Sequence, residues 1–88
     1  MDRFDAMRAF ARVVEAGSFT KAAQTLHMSK TTVTQLIQQL EARLRVKLLH
    51  RTTRSLSLTP QGEIVHPWAQ RILEDVELMG DALSHEKA

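Results

Sequence analysis

Phe4, Met7, Phe10, Ala11 and Val14 form an i, i+3, i+6/7, i+10 apolar stripe, which predicts a first helix over residues 4–16. Gly17 stops it, being the residue most tolerant of positive φ. Ser18 stands where an N-cap belongs, and a short second helix follows through KAAQTL, with Ala22, Ala23 and Leu26 facing inward. The two alanines are small enough to let another helix approach closely. Ser29 then caps a third helix running to about Leu44. Its apolar positions Val33, Leu36, Ile37, Leu40 and Leu44 fall within a sector of roughly 100°, a single buried face.

The pattern changes over residues 46–58. VKLLHR and RSLSL read as two short strands joined around Thr52-Thr53, with residues 55–58 alternating in period two, so a small β-hairpin is predicted. Thr59-Pro60 gives an N-cap followed by proline at the first helical position. The last helix is predicted from Pro60 to the low eighties. Val65, Trp68, Ile72, Val76, Met79 and Leu83 recur along it at spacings of 3, 4, 4, 3 and 4, a heptad seam suited to a second copy of the chain. Pro67 removes one backbone hydrogen bond there and is expected to kink the helix.

Charge sharpens this picture. The net formal charge is only +2, but it is unevenly spread. Residues 1–20 are neutral. Residues 21–54 carry Lys21, Lys30, Arg43, Arg45, Lys47, Arg51 and Arg54 against Glu41 alone, and residues 55–88 are acidic. A basic island suits a polyanion, although charge alone leaves open a solvated face with no partner. The 88 residues make one small domain. With no cysteine, disulfides and thiolate metal sites are excluded. The N-terminus carries early acids and no long apolar run, which argues against a signal peptide, and no stretch approaches a membrane span. A cytoplasmic protein with no membrane partner is the expectation.

Two helices joined by a short turn, the first alanine-rich and the second amphipathic, form a helix-turn-helix. The second helix must bury one face and leave the other narrow and polar enough for a major groove ~12 Å wide. Opposite Val33 lie Thr31, Thr34, Gln35, Gln38, Ala42 and Arg45, with Lys30 beside the N-terminal end. Glutamine pairs with adenine and a threonine methyl touches the thymine methyl. Lys30, Thr31, Thr34, Gln35 and Gln38 are therefore the candidate base-reading residues. Taken alone, this helix also fits an ordinary amphipathic core helix whose polar side faces water.

The run AFARVVEAGSFTKAAQTLHMSKTTVTQLIQQLEARLRVKLLHRTTRSLSLTPQGE resembles the N-terminal domain of LysR-type transcriptional regulators. The resemblance rests on SFTKAA, the LHMS turn, V-x-x-x-I-x-x-L-E-x-x-L, LLHRTTR and LTPQG, and covers roughly residues 4–75. It implies a mainly α fold, a winged helix-turn-helix with a three-helix core and a β-hairpin wing over residues 1–59. The helix-turn-helix would occupy about 18–44 and the wing about 46–58. A linker helix over 60–88 would join two copies into a homodimer on an inverted-repeat operator in double-stranded DNA. The third helix would enter the major groove and Arg54 would reach toward the minor groove. Ser18, Thr20, Lys21, Ser29, Arg51, Thr53 and Arg54 are the corresponding candidates for backbone or minor-groove contact. A C-terminal domain binding a small-molecule effector is implied beyond this chain, and no cofactor is expected within it.

Departures from the family pattern fall at informative places. Lys30, Thr31 and Thr32 stand where glutamine, proline or serine, then alanine are common, and Thr34-Gln35 where serine-arginine is frequent. These changes lie on the outward face and are expected to alter which bases are read. Arg45 replaces the glycine that usually ends the helix, and Pro67-Trp68 is unusual in the linker helix.

Competing chemistry is weak. His27, His50, His66 and His85 include no pair at i, i+3 or i+4, so a metal site is not expected. No paired-carboxylate, nucleophile-base or glycine-rich phosphate motif is present, so an enzyme is not expected either. Two alternatives to an operator-binding dimer remain open from the residues: a helical protein-interaction module with an incidental basic face, and a DNA binder without sequence preference.

Overall fold

Among residues 3–52 and 55–87, which this computed structural model describes, the chain forms α1 (Arg3–Ala16), α2 (Phe19–Leu26), α3 (Lys30–Leu44), β1 (Leu49–Arg51), β2 (Leu56–Leu58) and α4 (Pro60–Lys87). Three helices, a hairpin and a long final helix give a mainly α winged helix-turn-helix. α1 is the hub, packing against α2, α3 and α4. The largest fully buried side chains, Phe10, Val13, Val33, Leu36 and Leu48, gather around it.

The buried face of α1 differs from the predicted stripe. Ala6, Ala9, Phe10, Ala11 and Val13 are buried, Met7 and Val14 pack at the margin, and Phe4 is 37% exposed. With helices on several sides, alanines carry much of the contact where larger side chains would hold the neighbours apart. α3 buries Val33, Leu36, Ile37 and Leu40 as its pattern requires, but Leu44 at its end is exposed.

Local chemistry sets the helix ends. The Ser18 hydroxyl accepts the Lys21 N–H at 3.2 Å and the Ser29 hydroxyl accepts the Thr32 N–H at 3.0 Å, so both serines are N-caps. α2 closes with His27 left-handed (φ 56°) and the Met28 N–H on the Ala23 carbonyl at 3.0 Å. α3 closes the same way at Arg45 (φ 59°), with the Val46 N–H on the Glu41 carbonyl at 3.2 Å. Arginine thus occupies the left-handed position itself.

The hairpin is smaller than the run 46–58. Only three residues pair on each side, Leu49 with Leu58, His50 with Ser57 and Arg51 with Leu56, and residues 46–48 form the approach to it. The Thr52 N–H closes the turn on the Ser55 carbonyl at 3.0 Å.

Thr59 begins α4 as predicted. Its hydroxyl accepts the Gly62 N–H at 2.9 Å and donates to the Lys47 carbonyl at 2.5 Å, and its own N–H reaches the Leu48 carbonyl at 3.0 Å. Gly62 lies so close to the Leu48 carbonyl that a Cβ there would collide with it. Glycine is therefore required by close approach, not by φ. α4 runs unbroken through Pro67 and past the low eighties to Lys87.

Candidate nucleic-acid interface

Burial of Val33, Leu36, Ile37 and Leu40 fixes the rotation of α3 about its axis. The opposite side then presents Lys30, Thr31, Gln35 and Gln38 exposed, with Thr34 half-buried at the edge. Among the described residues, none of these five side chains is held in a hydrogen bond or ion pair within the chain. Their donors and acceptors are available to an external partner. The positive end of the helix dipole reinforces Lys30 at that end.

Glu41 is the one acid of the basic island, and its placement was not legible as part of the site. Its Oε2 accepts the Leu48 N–H at 2.8 Å, and Oε1 lies 3.8 Å from Lys47 Nζ. The Glu41 side chain is 12% exposed against 80% for Lys47. The acid is folded inward as a brace between α3 and the approach to the hairpin, and the lysine stays outside.

Ser18, Thr20, Lys30 and Arg51 line one open groove of about 280 Å³ between the starts of α2 and α3 and the hairpin. Lys21 is exposed on α2 outside that lining. The Ser18 and Ser29 hydroxyls serve as caps, with Ser29 also within 2.9 Å of the Thr32 hydroxyl. The Arg51 guanidinium sits 4.1 Å from the centroid of the Phe19 ring. Such a stack contributes about 0.5–1 kcal/mol at an exposed site and holds the hairpin against α2. Arg51 also borders a cleft of about 230 Å³ shared with Thr34 and Gln38, so it separates the reading face from the groove. Phe19, the platform for this stack, was missed because it falls within the capping segment before KAAQTL. Thr53 and Arg54 lie outside the described residues.

The apolar row of α4 divides. Val65 packs against the core of its own chain and Ala69 is buried there. Trp68 (59%), Val76 (36%), Met79 (62%) and Leu83 (55%) are exposed, with Ile72 partly so. Ile64, outside the predicted seam, is also exposed. Arg71 lies 6.0 Å from the Trp68 ring centroid. No helix among the described residues is long and apolar enough to cross a membrane.

Residues 4–63 match the family model described as bacterial regulatory helix-turn-helix protein, lysR family. The chain is 47% identical over 77 residues to the HTH-type transcriptional activator AaeR of Escherichia coli K12, covering 88% of this chain and 25% of that protein. It is 48% identical over 67 residues to the HTH-type transcriptional regulator CrgA of Neisseria meningitidis, covering 76% of this chain and 22% of that one. The chain thus spans about a quarter of the length of the curated relatives it matches. Among solved structures, the BenM_DBD complex with catB site 1 DNA superposes with a TM-score of 0.93 at 33% identity, covering 100% of this chain and 98% of that one. The CbnR_DBD–DNA complex gives 0.90 at 38% identity with both chains fully covered.

Proposed function

The chain belongs to the LysR family of bacterial regulatory helix-turn-helix proteins, and on that premise we propose that α3 reads an operator in the major groove through Thr31, Thr34, Gln35 and Gln38. Lys30 serves a base or a phosphate beside them. The observation that carries this reading is the free face of α3, whose polar groups have no partner among the described residues and whose neighbouring carboxylate, Glu41, is turned inward. Ser18, Thr20 and Arg51 in the groove and Lys21 beside it are the proposed DNA-backbone contacts, and Arg54 is the proposed minor-groove contact.

Two copies join through the outward row Trp68, Ile72, Val76, Met79 and Leu83, and read two inverted half-sites. The whole protein is a transcription regulator acting in the bacterial cytoplasm, its binding modulated by a small-molecule effector held outside this chain.

A binding matrix over all single-base variants of a selected duplex tests the reading face. Gln35→Ala is expected to leave thermal stability nearly unchanged and to cost about 1–3 kcal/mol at one base pair of each half-site. An unchanged preference profile for alanine at all of Thr31, Thr34, Gln35 and Gln38 would remove α3 as the reading element.

A further inference from the structure

The far end of α3 carries a second feature that base reading does not use. Arg45 holds the left-handed conformation, φ 59° and ψ 37°, that glycine adopts at no steric cost. Its side chain is exposed, and among the described residues it has no hydrogen bond or ion pair. A strained backbone position filled by a long, unengaged cation points to work done outside the chain.

The surroundings say what that work is. Gln38, Glu41, Ala42, Arg45, Val46 and Lys47 border one shallow depression that continues from the Gln38 end of the reading face. Glu41 is turned inward: its Oε2 accepts the Leu48 N–H and its Oε1 lies 3.8 Å from Lys47 Nζ, which leaves the 80%-exposed Lys47 loosely paired and Arg45 facing outward with no ion pair among the described residues. An unpaired arginine and a loosely held, outward lysine, with the one neighbouring carboxylate turned inward, suit a phosphodiester.

We propose that Arg45 and Lys47 form a phosphate-binding station at the C-terminal end of α3, gripping the DNA backbone beside the bases that α3 reads. This rests on the assignment of α3 as the reading helix and adds a grip at the opposite end of the helix from Lys30. A cation at a helix C-terminus also interacts favourably with the helix dipole. That role acts on folding alone, whereas a phosphate contact acts on binding and its salt dependence.

The test uses the 88-residue chain, a duplex it selects from a randomised pool, and an unselected duplex of equal length, titrated across a salt series. Arg45→Gly is expected to weaken binding to both duplexes by the same factor while its Tm stays at or above wild type. The slope of log affinity against log salt becomes shallower by about 0.9 for each phosphate no longer neutralised, so by roughly 2 when two copies bind. Lys47→Gln moves the slope in the same direction, and Arg45→Lys retains it. Wild-type affinity and slope in Arg45→Gly would overturn the proposal. So would affinity that falls only together with Tm, which marks a structural role, or an altered base preference, which marks a base contact. If the wild type itself prefers neither duplex, the reading-helix assignment falls, and that outcome is visible before any variant is measured.

Discussion

α3 and α4 pack one face each into the same core and differ in what they leave outside. α3 turns out hydroxyls, amides and a lysine with no carboxylate before Glu41. α4 turns out Trp68, Met79 and Leu83 among acids. A polar face that finds no partner among the described residues is ready for a polyanion, while an apolar row left in water favours burial against another surface. The acids Glu74, Asp75, Glu77 and Asp81 make α4 a poor neighbour for phosphate, so the two faces are suited to different partners.

The largest expected effect breaks the α4 side of this contrast. Ile72→Asp combined with Val76→Asp places unpaired charge in the proposed seam, a cost of about 3–5 kcal/mol when such a charge is buried. Sedimentation is expected to show monomers. A dimer that persists unchanged would move the interface elsewhere.

The next effect concerns the joint between the two regions. Gly62→Ala drives a methyl into the Leu48 carbonyl and is expected to cost about 1–3 kcal/mol in a urea titration. Gly80 in the same helix has nothing within 4 Å of a Cβ. Gly80→Ala is therefore expected to stabilise by about 0.5–1 kcal/mol. If both substitutions act alike, the close approach at residue 62 is not what selects glycine.

Arg51→Ala removes the stack on Phe19 and is expected to lower stability by about 0.5–1 kcal/mol. Weakened DNA binding with unchanged stability would instead make Arg51 chiefly a DNA contact. The smallest effect closes the series. Neutralising Glu74, Asp75, Glu77 and Asp81 together is expected to change DNA affinity only weakly, and a large gain would place α4 near the phosphates.

The sequence was readable where structure is decided locally. Ser18, Ser29 and Thr59 each bond an N–H three residues on, and their positions before periodic segments announced the helix starts. The buried stripe of α3 is equally local, because a single neighbouring core gives it a single period. α1 was misread at Phe4, and Ala6, Ala9 and Val13 were missed, because it is packed on several sides and a one-sided stripe no longer describes it. Glu41 was invisible as a brace because its partner, the Leu48 N–H, lies seven residues away around a left-handed turn. The free side chains of the reading face followed from helix rotation, whereas the Arg51–Phe19 stack needed the hairpin to fold back on α2.

The Thr59–Gly62 joint has a mechanical consequence. Hydrogen bonds to the carbonyls of Lys47 and Leu48 clamp the start of α4 just beyond the end of α3. The 28 residues of α4 extend about 42 Å from that clamp. Val65 and Ala69 hold the first turns of α4 on the core, so the lever arm is the part beyond Ala69, about 27 Å long. A bend of about 10° near Ala69 swings the far end by roughly 5 Å, about one and a half base-pair steps of about 3.4 Å. In the proposed dimer, whose copies pair through α4, the same bend would change the spacing at which two α3 helices meet the groove.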